Sequence, residues 1–330
     1  MTYISLVVLG LLVLLFSGCR VYSGDYKISG RVTSADPNEG ITGVTINCET
    51  NYMKKKVYTY GRDGRWEIGA NHGERVTIWA QKDSYIFQPA SPYKFTVTEN
   101  KNDVNFQAIG WYDDFSNRVS GWSSDAFSNY EAGKYWIRVT SDYTSVKTIA
   151  PLSVPLSYSI KAEMSQGLGS GGYGFVFNLL DLEKLRVDDF YHILRVTPEA
   201  TYKNYEIIKA KVEDIYPEGA VLSIEEITSG FSPLIESNIN TLEIKQVWKD
   251  VFIYINNNLE PLWSGEIEVQ QNADFLKVGL YACINSGDSY TAWFDNFTLT
   301  AIGFRTRTVP EVRSLDFQES MTHKDIELTK

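Results

Sequence analysis

An all-β chain folded as two successive modules is predicted by three observations. β-branched and aromatic residues recur at every second position over short runs, which lets one side of each run pack inward. Turn residues punctuate the runs at intervals of about ten residues, the spacing of a sandwich. Aromatics make up 14% of the chain, with Tyr 21 outnumbering Trp 8, a composition that suits sheets. Hydrophobic residues at 43% mark a globular protein.

The chain opens MTYISLVVLGLLVLLFSGCR. The apolar run from Ile4 to Phe16 is too short to span a hydrocarbon core of about 30 Å as a helix, and has signal-peptide length instead. Ser17 and Gly18 directly before Cys19 resemble the lipobox of bacterial lipoproteins. That resemblance implies a signal peptide over 1–18, lipid on Cys19, a lipidated linker over 19–25 and an extracytoplasmic protein held to the cell membrane or outer membrane. Multiple acyl chains would make such an anchor effectively permanent. An ordinary secretory signal and an uncleaved anchor are the alternatives, and all three mean export.

About 310 residues then remain, enough for two domains. The formal net charge of −10 argues against a nucleic-acid partner, because phosphate binding needs clustered Lys and Arg. Cys48 and Cys283 fall in different expected modules and read as buried free thiols. No Cys/His spacing supports zinc.

From residue 26 to 108 the strand-like runs are YKISGRVT, GVTINCET, KKVYTY, RWEIGA, RVTIWAQK, YKFTVT and DVNFQA, a small seven-stranded β-sandwich. GRDG at Gly61 to Gly64 predicts a tight hairpin joining Tyr58 and Tyr60 to Trp66 and Ile68. ISGRVT, GITGVTI, DGRWEI, VTIWAQKDSYIFQP and VNFQA together resemble the carboxypeptidase-regulatory-like, transthyretin-type sandwich, which implies a spacer or adhesive accessory. His72 is the only imidazole here, and without a partner acid or nucleophile it reads as a solvated turn residue.

A second unit, 111–302, is bracketed by WYDDFSNRVSGW and SYTAWFDNFTLT. Its runs are KYWIRVT, YSIKAEM, GYGFVFNLL, FYHILRV, YEIIKAKV, NTLEIKQVW, VFIYIN, LKVGLYACI and WFDNFTLT. The order resembles the concanavalin A-like lectin/glucanase jelly roll, the group that includes laminin-G-like and 3-keto-disaccharide hydrolase domains. The resemblance implies that the DDF and FDN strands lie side by side. Residues 214–240 read as a loop with at most one short strand, because of their Pro and Gly content. Residues 303–330 lose periodicity and read as a C-terminal tail.

A retaining glycosidase needs two carboxyl groups about 5 to 5.5 Å apart, which a strand supplies at alternate positions. The pattern E-x-D-x-x-E or E-x-D-x-E is absent. Glu266 and Glu268 alternate with Ile267 and Val269 and read as a solvated strand side. The neighbouring acids Asp188-Asp189 would point opposite ways, and Glu225-Glu226 form another adjacent pair. His192 lies among apolar neighbours and reads as packing rather than catalytic. No catalytic residue is therefore assigned.

A sugar-binding surface asks only for flat rings and a few polar groups. Tyr173, Phe175 and Phe177 share one side of their strand. Tyr191 shares a side with Arg195, and Tyr191, Arg195, Tyr202 and Trp248 are the expected ligand contacts. Calcium is the one cofactor left open, with Asp113, Asp114, Asp295 and Asn296 as candidate oxygen donors. The expected function is a membrane-anchored, non-catalytic lipoprotein presenting a lectin-like domain to carbohydrate or another extracellular ligand. A saccharide-acting hydrolase and a structural or adhesive envelope protein remain the alternatives.

Overall fold

The computed structural model describes residues 24–118, 120–141, 144–180, 186–199, 202–216, 219–270 and 273–302. Cys19, the leader before it and the tail 303–330 lie outside the described residues. Every regular element among the described residues is a strand.

The first module holds β1 (Tyr26–Thr33), β2 (Thr45–Thr50), β3 (Lys54–Tyr58), β4 (Arg65–Ala70), β5 (Arg75–Gln81), β6 (Tyr85–Gln88) and β7 (Tyr93–Thr96). Alternation decides what each buries: Ile28 and Val32, Ile46 and Cys48, Trp66 and Ile68, Val76 and Ile78 all enter the core. One sheet runs β3-β2-β5-β7, and β1 with β4 begins the sheet that faces it. The seven expected runs are all strands, the last of them as part of β8 (Phe106–Asp113), and YIFQ adds β6.

The GRDG turn forms but does not make the expected hairpin. Tyr60 and Arg65 exchange both backbone hydrogen bonds, at 2.8 and 3.0 Å, and the chains then part, β3 to pair with β2 and β4 to pair with β1. Thr59 explains the parting. Its backbone and hydroxyl bond to Val44 and Ile41 rather than across the turn, so the segment arches from one sheet to the other.

The second module holds β9 (Ser128–Glu131), β10 (Lys134–Thr140), β11 (Ser145–Ile149), β12 (Val154–Pro155), β13 (Ser157–Gln166), β14 (Ser170–Leu179), β15 (Phe190–Glu199), β16 (Tyr202–Tyr216), β17 (Gly219–Phe231), β18 (Ile239–Val247), β19 (Asp250–Ile255), β20 (Trp263–Glu266), β21 (Phe275–Ser286) and β22 (Ser289–Ala301). One sheet runs β20-β19-β18-β13-β22-β8, and the other β11-β21-β14-β15-β16-β17. Their facing sides share one core. Ile160, Leu242, Ile253 and Phe294 come from the first sheet, and Phe175, Leu194, Val196 and Leu280 from the second.

The chain is thus all-β, a small sandwich followed by a larger jelly roll. The DDF and FDN strands are neighbours as expected, with Asp113 opposite Phe297. The segment 214–240 is not the expected loop. β17 pairs with β16 along nearly its whole length, because the run from Ala220 to Ile227 has the β-branched residues to follow a neighbour despite Pro and Gly at its ends.

Strand β8 belongs to both modules. It pairs in parallel with β1 through Val32 and Phe106, with β6 through Tyr85 and Trp111, and with β22 through residues 110–113. The expected change of module between 108 and 111 lies inside it. Glu39 of the small module adds an ion pair with Lys277 at 2.6 Å and accepts the Ser153 amide. Burial pushes the Glu39 carboxyl up, and Lys277 together with its hydrogen-bond donors outweighs this and holds it below the usual range.

Candidate functional site

The residues singled out by sequence do not gather in one place. Tyr191 and Arg195 do share the side of the second jelly-roll sheet that faces away from the partner sheet. Cross-strand register puts Lys147, Tyr281, Gly174, Arg195 and Glu206 in one row there. Arg195 Nη2 reaches both carboxylate oxygens of Glu206 at 2.5 and 2.6 Å, and its stem lies over Gly172, where a Cβ would meet Arg195 Cγ at 2.9 Å. Lys147 Nζ donates to the Tyr191 hydroxyl at 2.5 Å and sits 4.4 Å from the centre of that ring.

This surface is closed. Tyr191 is 1% exposed, and with Val176, Ile193, Tyr281 and Cys283 it forms a second small core against which Leu222 of β17 packs. Its rings are therefore covered, so stacking on a sugar is denied them. Lys147, with no carboxylate partner among the described residues, is driven down to about 8 by burial.

Trp248 is not part of that surface. It is 56% exposed in the turn between β18 and β19, on the opposing sheet. Tyr202 opens β16 opposite Glu199. Tyr173, Phe175 and Phe177 point into the core between the sheets and offer no surface to a ligand.

The candidate calcium donors are spent on the fold. Asp113 is buried and accepts from the Phe115 amide, Ser120 and the Trp122 indole, while Asp114 caps Ser116. Asp295 takes the Asn296 amide, and the Asn296 side chain bridges Tyr112 and Glu163. Among the described residues no three His, Cys, Asp or Glu side chains converge as a metal site.

His192 is wholly buried between Phe177 and Phe190, and burial, then Lys209, lowers it to about 3. It is neutral at any working pH. His72 is exposed beside the Tyr26 ring. Ile267 and Val269 are buried, so Glu266 and Glu268 face outward, and Glu268 is tied to Lys209. Cys48 and Cys283 are both free and buried.

An open hollow rich in rings lies on the small module. Its volume is about 640 Å³, and Trp79, Tyr85, Phe87, Pro89 and Pro92 line it. A hollow of that size with mostly apolar walls and a few polar groups is the usual form of a ligand site. Tyr85 and Phe87 stack, centroids 5.9 Å apart. Lys82 Nζ lies 4.9 Å over the Tyr85 ring and donates to the Thr42 carbonyl at 3.0 Å. Burial lowers its pKa.

A second hollow of about 390 Å³ shares Gln81, Lys82 and Tyr85 with the first and reaches Trp111 and Ser120 of the jelly roll. The groove therefore runs from the small sheet to the junction of the modules. Sequence held a signal for it. Val76 and Ile78 are in phase with the core, which leaves Trp79 out of phase, a large ring facing outward from β5.

No protein family's sequence profile matches this chain, and no curated protein sequence matches it. Solved structures do resemble it in shape. LamAcat from Zobellia galactanivorans is 8% identical at TM-score 0.41, over 58% of this chain and 97% of that one. The carbohydrate binding module CBM66 from Bacillus subtilis is 14% identical at TM-score 0.40, over 55% of this chain and 96% of its own. Lectin I-B4 from Griffonia simplicifolia, in its metal-free form, is 12% identical at TM-score 0.40, over 58% of this chain and 98% of its own. Likeness at this level leaves the functional reading to this chain's own residues.

Proposed function

We propose that this chain is an exported lipoprotein, anchored through Cys19 to the cell membrane or outer membrane, that holds glycan without cleaving it. The Trp79–Tyr85 groove on the transthyretin-like module is where the glycan rests. The observation that carries this reading is the groove itself: stacked and flat rings in an open hollow, with Gln81, Lys82 and Lys94 at its edge to meet hydroxyl groups. Pyranose rings present apolar C–H sides to aromatics and polar groups around their rim, which is the complement of such walls. On this reading the small module carries the ligand as well as spacing the jelly roll from the bilayer.

A glycan array probed with the full-length chain in detergent micelles tests it. Trp79→Ala is expected to abolish the signal and Trp248→Ala to leave it intact. Retained binding in Trp79→Ala, or turnover of a poly- or disaccharide panel, would refute the reading. One observation favours the adhesive alternative, the long exposed edge of β17; a stable protein partner with no saccharide affinity would establish that reading instead.

A further inference from the structure

The sheet β3-β2-β5-β7 turns Ile46, Cys48, Val76 and Ile78 inward, so its other side shows what the chain places against solvent. Register sets Lys54, Glu49, Thr77 and Lys94 in one cross-strand row, and Lys56, Asn47 and Trp79 in the next. Arg75 follows on β5, opposite Thr96. Lys54, Lys56, Arg75 and Lys94 are all exposed.

Glu49 is the one carboxylate in these rows, and it is taken by Lys54 at 3.1 Å. Lys56, Arg75 and Lys94 have no acidic partner among the described residues. On the opposite sheet of the same module Lys27 pairs with Glu67 and Arg65 with Asp63, while Arg31 donates its Nε hydrogen to the Asp63 carbonyl. The concentration of positive charge runs against a chain whose formal net charge is −10.

The charge is also placed where the groove is. Lys94 lines the hollow beside Trp79, and Lys56 lines its extension towards the junction. Lys56 stands two strand spacings of about 4.8 Å from Trp79 in its own row, and Lys94 lies on the other side, one strand across and one row along, opposite Thr77. The indole is thus flanked by free cations.

We infer that this groove takes an acidic polysaccharide, one bearing carboxylate or sulfate groups, with Trp79 stacked on a sugar ring and Lys56 and Lys94 meeting the anions on either side. The inference rests on the saccharide reading above and adds the substrate class. Concavity favours a chain of rings over an anionic bilayer, because a flat surface would meet only the rim of the hollow.

The test uses the full-length chain in detergent micelles against polygalacturonate, alginate and chondroitin sulfate, with methyl-esterified polygalacturonate and a neutral glucan as uncharged counterparts. At least one acidic polymer is expected to bind, about tenfold more weakly in about 1 M salt, where the screening length falls to about 3 Å. Lys56→Gln with Lys94→Gln, both at solvent, is expected to cost a similar factor and leave the melting temperature unchanged. Equal or tighter binding of the uncharged polymers, or undiminished binding by the double variant, overturns the inference and leaves saccharide binding standing. Preference for phosphatidylglycerol vesicles over every polymer also overturns it. Failure to hold any saccharide would remove both readings.

Discussion

The indole Nε1 of Trp122 donates to the buried carboxyl group of Asp113 at 3.0 Å, and the same group accepts the Phe115 amide at 2.8 Å and the Ser120 hydroxyl. Three donors from the loop after β8 thus converge on one side chain at the strand's end. Asp113→Ala would leave them unpaired in a largely dry setting and is expected to cost about 2–4 kcal/mol. Urea unfolding reads this directly, and an unchanged midpoint would show that water replaces the carboxylate at no cost.

Lys147 gives a pH signature. Its amine titrates at about 8 in the folded chain against an ordinary lysine value of 10.5, so between those values the unfolded chain binds the extra proton. Stability contributed by this group therefore rises with pH across that window. Tyr191, Tyr281, Cys283 and the Arg195–Glu206 pair share its surface, and Cys48, raised to about 11 by burial, pulls the other way above the ordinary thiol value of 9.0. The measurement is accordingly the difference between wild type and Lys147→Met from about pH 7.5 to 9. The wild type should gain on the variant as pH rises, and parallel curves would contradict the burial argument.

Gly174 has no room for a side chain. A Cβ there would lie 1.9 Å from the Leu194 carbonyl oxygen, a backbone atom that cannot turn aside. Gly174→Ala is expected to cost about 3 kcal/mol or more by forcing β14 and β15 apart. Thermal melting checks it, and a shift of less than a degree or two would mean that the strands separate more easily than their pairing implies.

The outer edge of β17 is long, paired on one side, and carries Val221, Ile224 and Phe231 at the surface. Such an edge offers free backbone groups beside apolar side chains, the usual template for strand-to-strand association. Concentration-dependent self-association is expected by light scattering. Ile224→Lys should suppress it with stability changed by no more than about 0.5 kcal/mol. Equal scattering by the variant would place the contact elsewhere.

Much of the fold was legible because a strand writes its environment at every second residue. YSIKAEM and KYWIRVT alternate in sequence, and their burial alternates in the structure. The features that stayed hidden depend on what lies opposite. The parting of β3 and β4 is decided by Thr59 bonding to residues some fifteen positions away, which no local turn signal encodes. β17 hid behind its flanking Pro and Gly.

The candidate site was legible in part. Period two rightly placed Tyr191 beside Arg195, but whether that surface is open depends on Lys147 and Leu222, brought over it from distant strands. Trp248 reads like a binding residue from its type alone, and its separation from Tyr191 follows from sheet membership. Trp79 was passed over, although its phase against Val76 and Ile78 marks it as an outward ring. The hollow around it needed Tyr85 and Phe87 of β6 to fold back beside it.

Strand β8 sets a rule for taking the molecule apart. It is hydrogen-bonded to β1 at its start, to β6 through residues 107–111 and to β22 through residues 110–113. A cut at the middle of it strips an edge from each half, so neither piece keeps the partners that hold its own sheet closed. Exchanging either module would therefore require a replacement for a strand that both of them use.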